Sequence, residues 1–221
     1  MSKKFLTGVL MAAMLLAMVL GGCGKSADTA GSGSSSGKTE AQNQSFNPDE
    51  EKDAIDFAKF RSDYGAVPKV SGDIKLGAVA KSFENEYWRT LKEGMQIGAQ
   101  KLKDKGYAVA IDIKSAQSEG DEQGQFSIVK DMVNKKYSAL LLSPISDGNL
   151  IPGVEQALKA KIPVINVNDG IIAIAPNYVG PRAIQNGELA AEWIANKLQK
   201  KGKVAIVIGM PKAFAARQRT A

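Results

Sequence analysis

Three rings and an amide crowd the six residues Phe83-Glu84-Asn85-Glu86-Tyr87-Trp88, which follow the apolar run 74–80. Rings in such a place either form a flat face for a ligand or staple the loop onto the core. Asn85 beside them can donate and accept hydrogen bonds. Further on, Asn168 and Asp169 end another apolar run. Arg182 stands near the start of a helical pattern, and Arg219 lies in the stretch GMPKAFAARQRTA (209–221). Amide, carboxylate and guanidinium groups at the ends of apolar runs are suited to polar recognition.

Other chemistries are excluded by residue type. The chain has no histidine, and its single cysteine is Cys23. The commonest general base and the commonest metal ligand are therefore missing, and no intrachain disulfide can form. A metal centre, a Cys/His nucleophile and a cofactor are not expected. Asp112 and Asp147 have no clear partner carboxylate, which leaves paired-acid glycosidase chemistry unsupported. No glycine-rich phosphate fingerprint follows a strand. The net charge of +6 is spread out, apart from Lys200-Lys201-Gly202-Lys203 at a helix end, where cations suit the dipole. A nucleic-acid partner would require clustered bases with aromatics between them, and none is expected.

The elements that hold these groups can be read from periodicity. Residues 74–80, 107–113, 139–142, 163–167 and 203–209 form short apolar runs that predict strands, and 174–180 predicts a short extended piece. Between them lie helical patterns at 86–105, 121–136, 149–161 and 182–200. In the first, Leu91, Met95, Gly98, Ala99 and Leu102 share one face, and Gly106 ends it. Trp193 falls on the apolar side of the last helix and is expected in the core, as are Tyr107 and Tyr137. The order β-α-β-α-β-α-β-β-α-β predicts an α/β fold with a doubly wound parallel sheet. Ligands of such sheets bind beyond the carboxyl ends of the strands, where the rings, Asn168 and Asp169 all fall.

The chain opens differently. Lys3-Lys4, the uncharged apolar run 5–20 and Gly21-Gly22 have the layout of a secretory signal. Leu20-Gly21-Gly22-Cys23 resembles a bacterial lipobox, which implies cleavage before Cys23 and lipidation of its thiol. Residues 23–70 then read as a lipidated cysteine and a Gly/Ser-rich tether, with a short helix possible from Pro48.

From residue 71 the chain resembles the periplasmic sugar-binding proteins of ABC importers, of the ribose/galactose-binding type. The resemblance rests on five segments in order: IKLGAVAKSFENEYWRTLKEGMQIGAQ, ALLLSPIS, AKIPVINVND, YVGPRAIQNGELAAEWIA and GMPKAFAARQRTA. It implies a type I periplasmic binding protein fold. Residues 71–180 would form one nearly complete lobe, and 181–221 the start of a second, truncated lobe. It implies a lipid-anchored, extracytoplasmic, monomeric receptor that clamps a sugar or sugar-like ligand and delivers it to an ABC permease. A receptor that presents its ligand to a sensor kinase or chemoreceptor is the alternative output.

By the same resemblance Asn85 should bond a hydroxyl, and Tyr87 and Trp88 are the rings to stack on a sugar. Asn168, Asp169, Arg182 and Arg219 supply the remaining contacts. Two positions depart from the family pattern: Asn168-Asp169 stands where Asp-Arg is usual, and Arg182 where Asp is usual. Two readings stay open. Either both arginines meet a carboxylate or phosphate on the ligand, or the sugar is neutral and Arg182 pairs with Asp169.

Overall fold

The computed structural model of the chain describes residues 52, 54–66, 68–175 and 177–221. The signal, Cys23, most of the tether and Pro48 lie outside the described residues. All described residues belong to one compact unit, Gln42–Ala221.

Between Pro48 and the first strand the described residues hold one helix, α1, Phe57–Tyr64; it has no acidic residue in its first turn, and the Asp56 carboxylate accepts the Ala58 N–H at 3.3 Å. The elements that follow are β1 (Ile74–Ser82), α2 (Glu86–Asp104), β2 (Val109–Ala116), α3 (Glu122–Asn134), β3 (Ala139–Leu142) and α4 (Ile151–Lys159). They continue with β4 (Val164–Val167), β5 (Tyr178–Val179), α5 (Ala183–Lys197) and α6 (Phe214–Gln218). The strands form one sheet in the order β2-β1-β3-β4-β5, and every pairing is parallel. The α/β class and the parallel doubly wound sheet expected from the sequence are what the structure has. Chain order reverses across β1, which lies between β2 and β3. That is the switch point at which sheets of this kind open a crevice for ligands.

The central strands form for identifiable reasons. Six consecutive residues of β1, from Gly77 to Ser82, are buried, as a strand covered on both faces requires. Gly77 admits close packing: a Cβ there would lie 2.6 Å from Met132 Sδ and 2.9 Å from Leu140 Cδ2. Val79, Val129, Met132, Leu140, Leu142 and Val154 make the centre of the core. Gln125 is buried among them with every polar atom engaged. Its Nε2 donates to the carbonyls of Ala80 (3.1 Å) and Ser143 (2.9 Å). Its Oε1 accepts from Ile145 N (3.0 Å) and Asn149 Nδ2 (2.8 Å). One side chain thus fixes the carboxyl ends of β1 and β3 relative to each other.

Three expectations are corrected. The run 203–209, read as a strand, is not one: among the described residues no strand pairs with it. A strand is defined by its ladder bonds, and apolar content cannot replace a neighbour. Val207 is accordingly 97% exposed. The extended piece 174–180 narrows to the two residues of β5. Trp193, expected in the core, is 63% exposed. It lies on α5, which with the residues that follow it lines an apolar groove of about 750 Å³ that includes Ala190, Ile194, Leu198, Val204 and Ile206.

Candidate functional site

The carboxyl ends of β1 and β4 carry the polar groups, and local backbone chemistry sets their positions. Asn85 is the N-cap of α2: its Oδ1 accepts the Tyr87 N–H at 2.9 Å, which ends the loop after β1 and starts the helix. Asn168, just after β4, has φ +66°, a left-handed turn that asparagine tolerates better than most residues. That turn is held by the Asn168 N–H on the Val179 carbonyl (2.8 Å) and by the Tyr178 hydroxyl on the Asn168 carbonyl (2.6 Å).

Two cross-links join the two strand ends. The Tyr87 hydroxyl donates to Asn168 Oδ1. Lys81 Nζ forms an ion pair with Asp169 Oδ2 at 2.8 Å, and the lysine side chain is only 3% exposed. The other carboxylate oxygen, Oδ1, accepts the Ala215 N–H at 3.1 Å. Lys81 Nζ also lies 5.8 Å from the centre of the Trp88 ring. Burial pushes the Tyr87 phenol above its ordinary pKa of 10.0; the Asp169 charge adds to this, while the Arg219 charge and the bond to Asn168 oppose it. The phenol therefore remains a hydrogen-bond donor at neutral pH.

The expected site residues divide into two groups. Tyr87, Asn168 and Asp169 come together, and Arg219 is near enough to act on Tyr87 through its charge. Tyr87 is 51% exposed, so a ring face is available. Asn85 and Trp88 are engaged elsewhere. Asn85 caps α2 with its oxygen and donates its amide to Glu119 Oε1 at 3.0 Å. Trp88 is buried, its indole N–H on the same Glu119 oxygen at 2.9 Å, and its ring meets Tyr87 edge-on at 5.2 Å. Tyr87 is thus the accessible ring of the pair. Arg182 is the exposed N-cap of α5. Asp169 forms its ion pair with Lys81 of β1.

Lys81 and Glu119 were not singled out from the sequence. Lys81 left a signal: a cation inside the run Gly77-Ala78-Val79-Ala80-Lys81-Ser82, where burial demands a partner. Glu119 left none, because its role depends on a contact 31 residues away in the chain. An ammonium has three N–H donors. Among the described residues, Lys81 Nζ gives one of them to Asp169 and has no other acceptor. The strand ends therefore offer a buried ammonium, a carboxylate, an amide, a phenol and an open ring face. That set recognises hydroxyl groups and apolar ring faces, and no cluster of metal-ligating side chains occurs among the described residues.

Comparison with known proteins bears on the family and the fold. Residues 76–221 match the family described as "Periplasmic binding protein domain". The chain is 30% identical over 158 residues to a ribose import binding protein of Bacillus subtilis, covering 70% of this chain and 50% of that one. It is 31% identical over 144 residues to a D-allose-binding periplasmic protein of Escherichia coli, covering 61% and 45%. Among solved structures, an ABC transporter periplasmic solute binding protein from Actinobacillus succinogenes with bound D-allose superimposes with a TM-score of 0.60 at 28% identity, covering 67% of this chain and 52% of that one. The chain spans about half the length of the curated relatives it matches. The family consists of solute-binding proteins and not of enzymes. With its parallel sheet, its switch point at β1 and its match from residue 76 onward, the chain belongs to the periplasmic binding protein domain family.

Proposed function

We propose that this chain is the ligand-capturing part of an extracytoplasmic sugar-binding protein that serves an ABC importer and is held to the membrane by a lipid on Cys23. The ligand is a neutral sugar or polyol. The observation that carries this reading is the Lys81–Asp169 pair at the switch point, since the buried cation is already matched by a carboxylate. Such a pair suits a vicinal diol: the ammonium donates to one hydroxyl and the carboxylate accepts from its neighbour. Tyr87 covers the apolar face of the sugar, and Asn168 bonds a further hydroxyl. Arg219, whose charge reaches Tyr87, supplies a further donor. Relatives named for ribose and allose, and a neighbour solved with D-allose, support the substrate class. The lipobox-like stretch before Cys23 supports the anchor.

The test is a thermal-shift and calorimetric screen of the full-length gene product with D-ribose, D-allose, myo-inositol, sugar acids and sugar phosphates. A neutral polyol present at 100 times its dissociation constant should add about 2.7 kcal/mol of stability, a shift of several degrees. Lys81→Ala should then weaken that ligand by about 100-fold, since it removes a charge-assisted bond and leaves Asp169 unpaired. A shift with sugar acids or phosphates alone would overturn the neutral-ligand reading, and silence across the panel would overturn the sugar reading.

A further inference from the structure

Three separate loops at the carboxyl end of the sheet reach the same ten-residue segment, 210–219. Glu122, at the start of α3, accepts Lys212 Nζ at 2.6 Å. Asp147, between β3 and α4, accepts Arg217 Nη2 at 2.6 Å. Asp169, after β4, accepts the Ala215 N–H at 3.1 Å. The segment is also folded on itself, with Arg217 Nη1 on the Pro211 carbonyl at 3.0 Å and the Ala213 N–H on the Met210 carbonyl at 2.9 Å. Ala213 and Ala215 are buried beneath it. Its far end presses on α5, where a Cβ at Gly187 would come 2.5 Å from the Arg219 carbonyl oxygen. The charges are sorted: acids on the strand-end loops, bases on the segment that crosses them.

We propose that Glu122 and Asp147 are positioning residues that latch 210–219 as a strap across the strand ends and so fix the position of Arg219 at its end. Each ion pair is about two-fifths exposed or more, so each alone is weak. Together with the Asp169 bond they act on one short segment, and forming one contact raises the effective concentration of the others. The value of placing Arg219 rests on the sugar-binding reading; the docking of the strap does not.

Trypsin reports the docking without any ligand, because it cuts after Lys212, Arg217 and Arg219 only when the strap is released. Glu122→Gln and Asp147→Asn leave those three cleavage sites intact. At low salt each single variant should be cut there about two- to fivefold faster than the parent, and the double variant about tenfold faster. In 1 M NaCl the parent should approach the double variant, because exposed pairs are screened. Cleavage after Lys103 and Lys105, at the exposed end of α2, should not change. The combination Glu122→Lys with Lys212→Glu should restore slow cleavage after Arg217 and Arg219. Equal rates in parent and double variant, indifference to salt, or an equal rise after Lys103 and Lys105 would each overturn the latch. A ligand panel that stays silent while the strap behaves as described would count against the sugar reading alone.

Discussion

Two stretches of similar composition have opposite fates. Ala139-Leu140-Leu142, with Leu141 between them, lies as β3 between β1 and β4, and Leu140 and Leu142 are wholly buried. The run 203–209 carries the apolar residues Val204, Ala205, Ile206, Val207 and Ile208, yet Val204, Ile206, Val207 and Ile208 are all exposed and no strand pairs with it among the described residues. The difference lies in the neighbours. Hydrophobic residues set how much surface there is to bury, while the ladder partner decides whether a strand exists to bury it.

That contrast can be broken or sharpened by substitution. Leu140→Ala should destabilise the fold by about 3–5 kcal/mol in denaturant titrations, whereas Val207→Ala should change it by less than about 0.5 kcal/mol. A comparable loss at both positions would mean that 203–209 is packed in solution. Gln125→Ala should cost about 2–3 kcal/mol, because it strands buried groups at the ends of both β1 and β3. A loss under 0.5 kcal/mol would show that this network does not tie the strand ends together.

A smaller effect concerns pH. Burial and the bond to Asp112 push the Tyr137 phenol up to about 12. The unfolded phenol ionises near its ordinary value of 10.0, so this contribution is complete below pH 10 and is lost as pH rises toward 12. The stability difference between the parent and Tyr137→Phe should therefore be constant below pH 10 and shrink above it. A difference that stays flat through pH 11.5 would refute that assignment. The ion pairs of the strap belong at the low end of this scale, since each is exposed to solvent.

Much of the fold was legible because periodicity is a local property. The helices α2 to α5 and the strands β1 to β4 each announce themselves through spacing within the element, and their alternation implies parallel pairing. The locations of Tyr87, Asn168 and Asp169 at strand ends followed from the same pattern. Their partners did not. Tyr87 meets Asn168 across 81 positions of chain, and Lys81 meets Asp169 across 88. Trp193 was misread because one apolar helix face looks the same whether or not something covers it.

The sequence by itself determined the element order, the α/β class, the lack of histidine and of any cysteine besides Cys23, and the end of the sheet at which polar groups gather. Those are consequences of residue type and short-range spacing. Tertiary structure decided which ring faces outward, that Lys81 pairs with Asp169, that Asn85 caps a helix, and that the run 203–209 meets no strand among the described residues. Each of these depends on the direction and distance of groups far apart in the chain, and a hydrogen bond or ion pair exists only where the fold brings its two ends within about 3 Å.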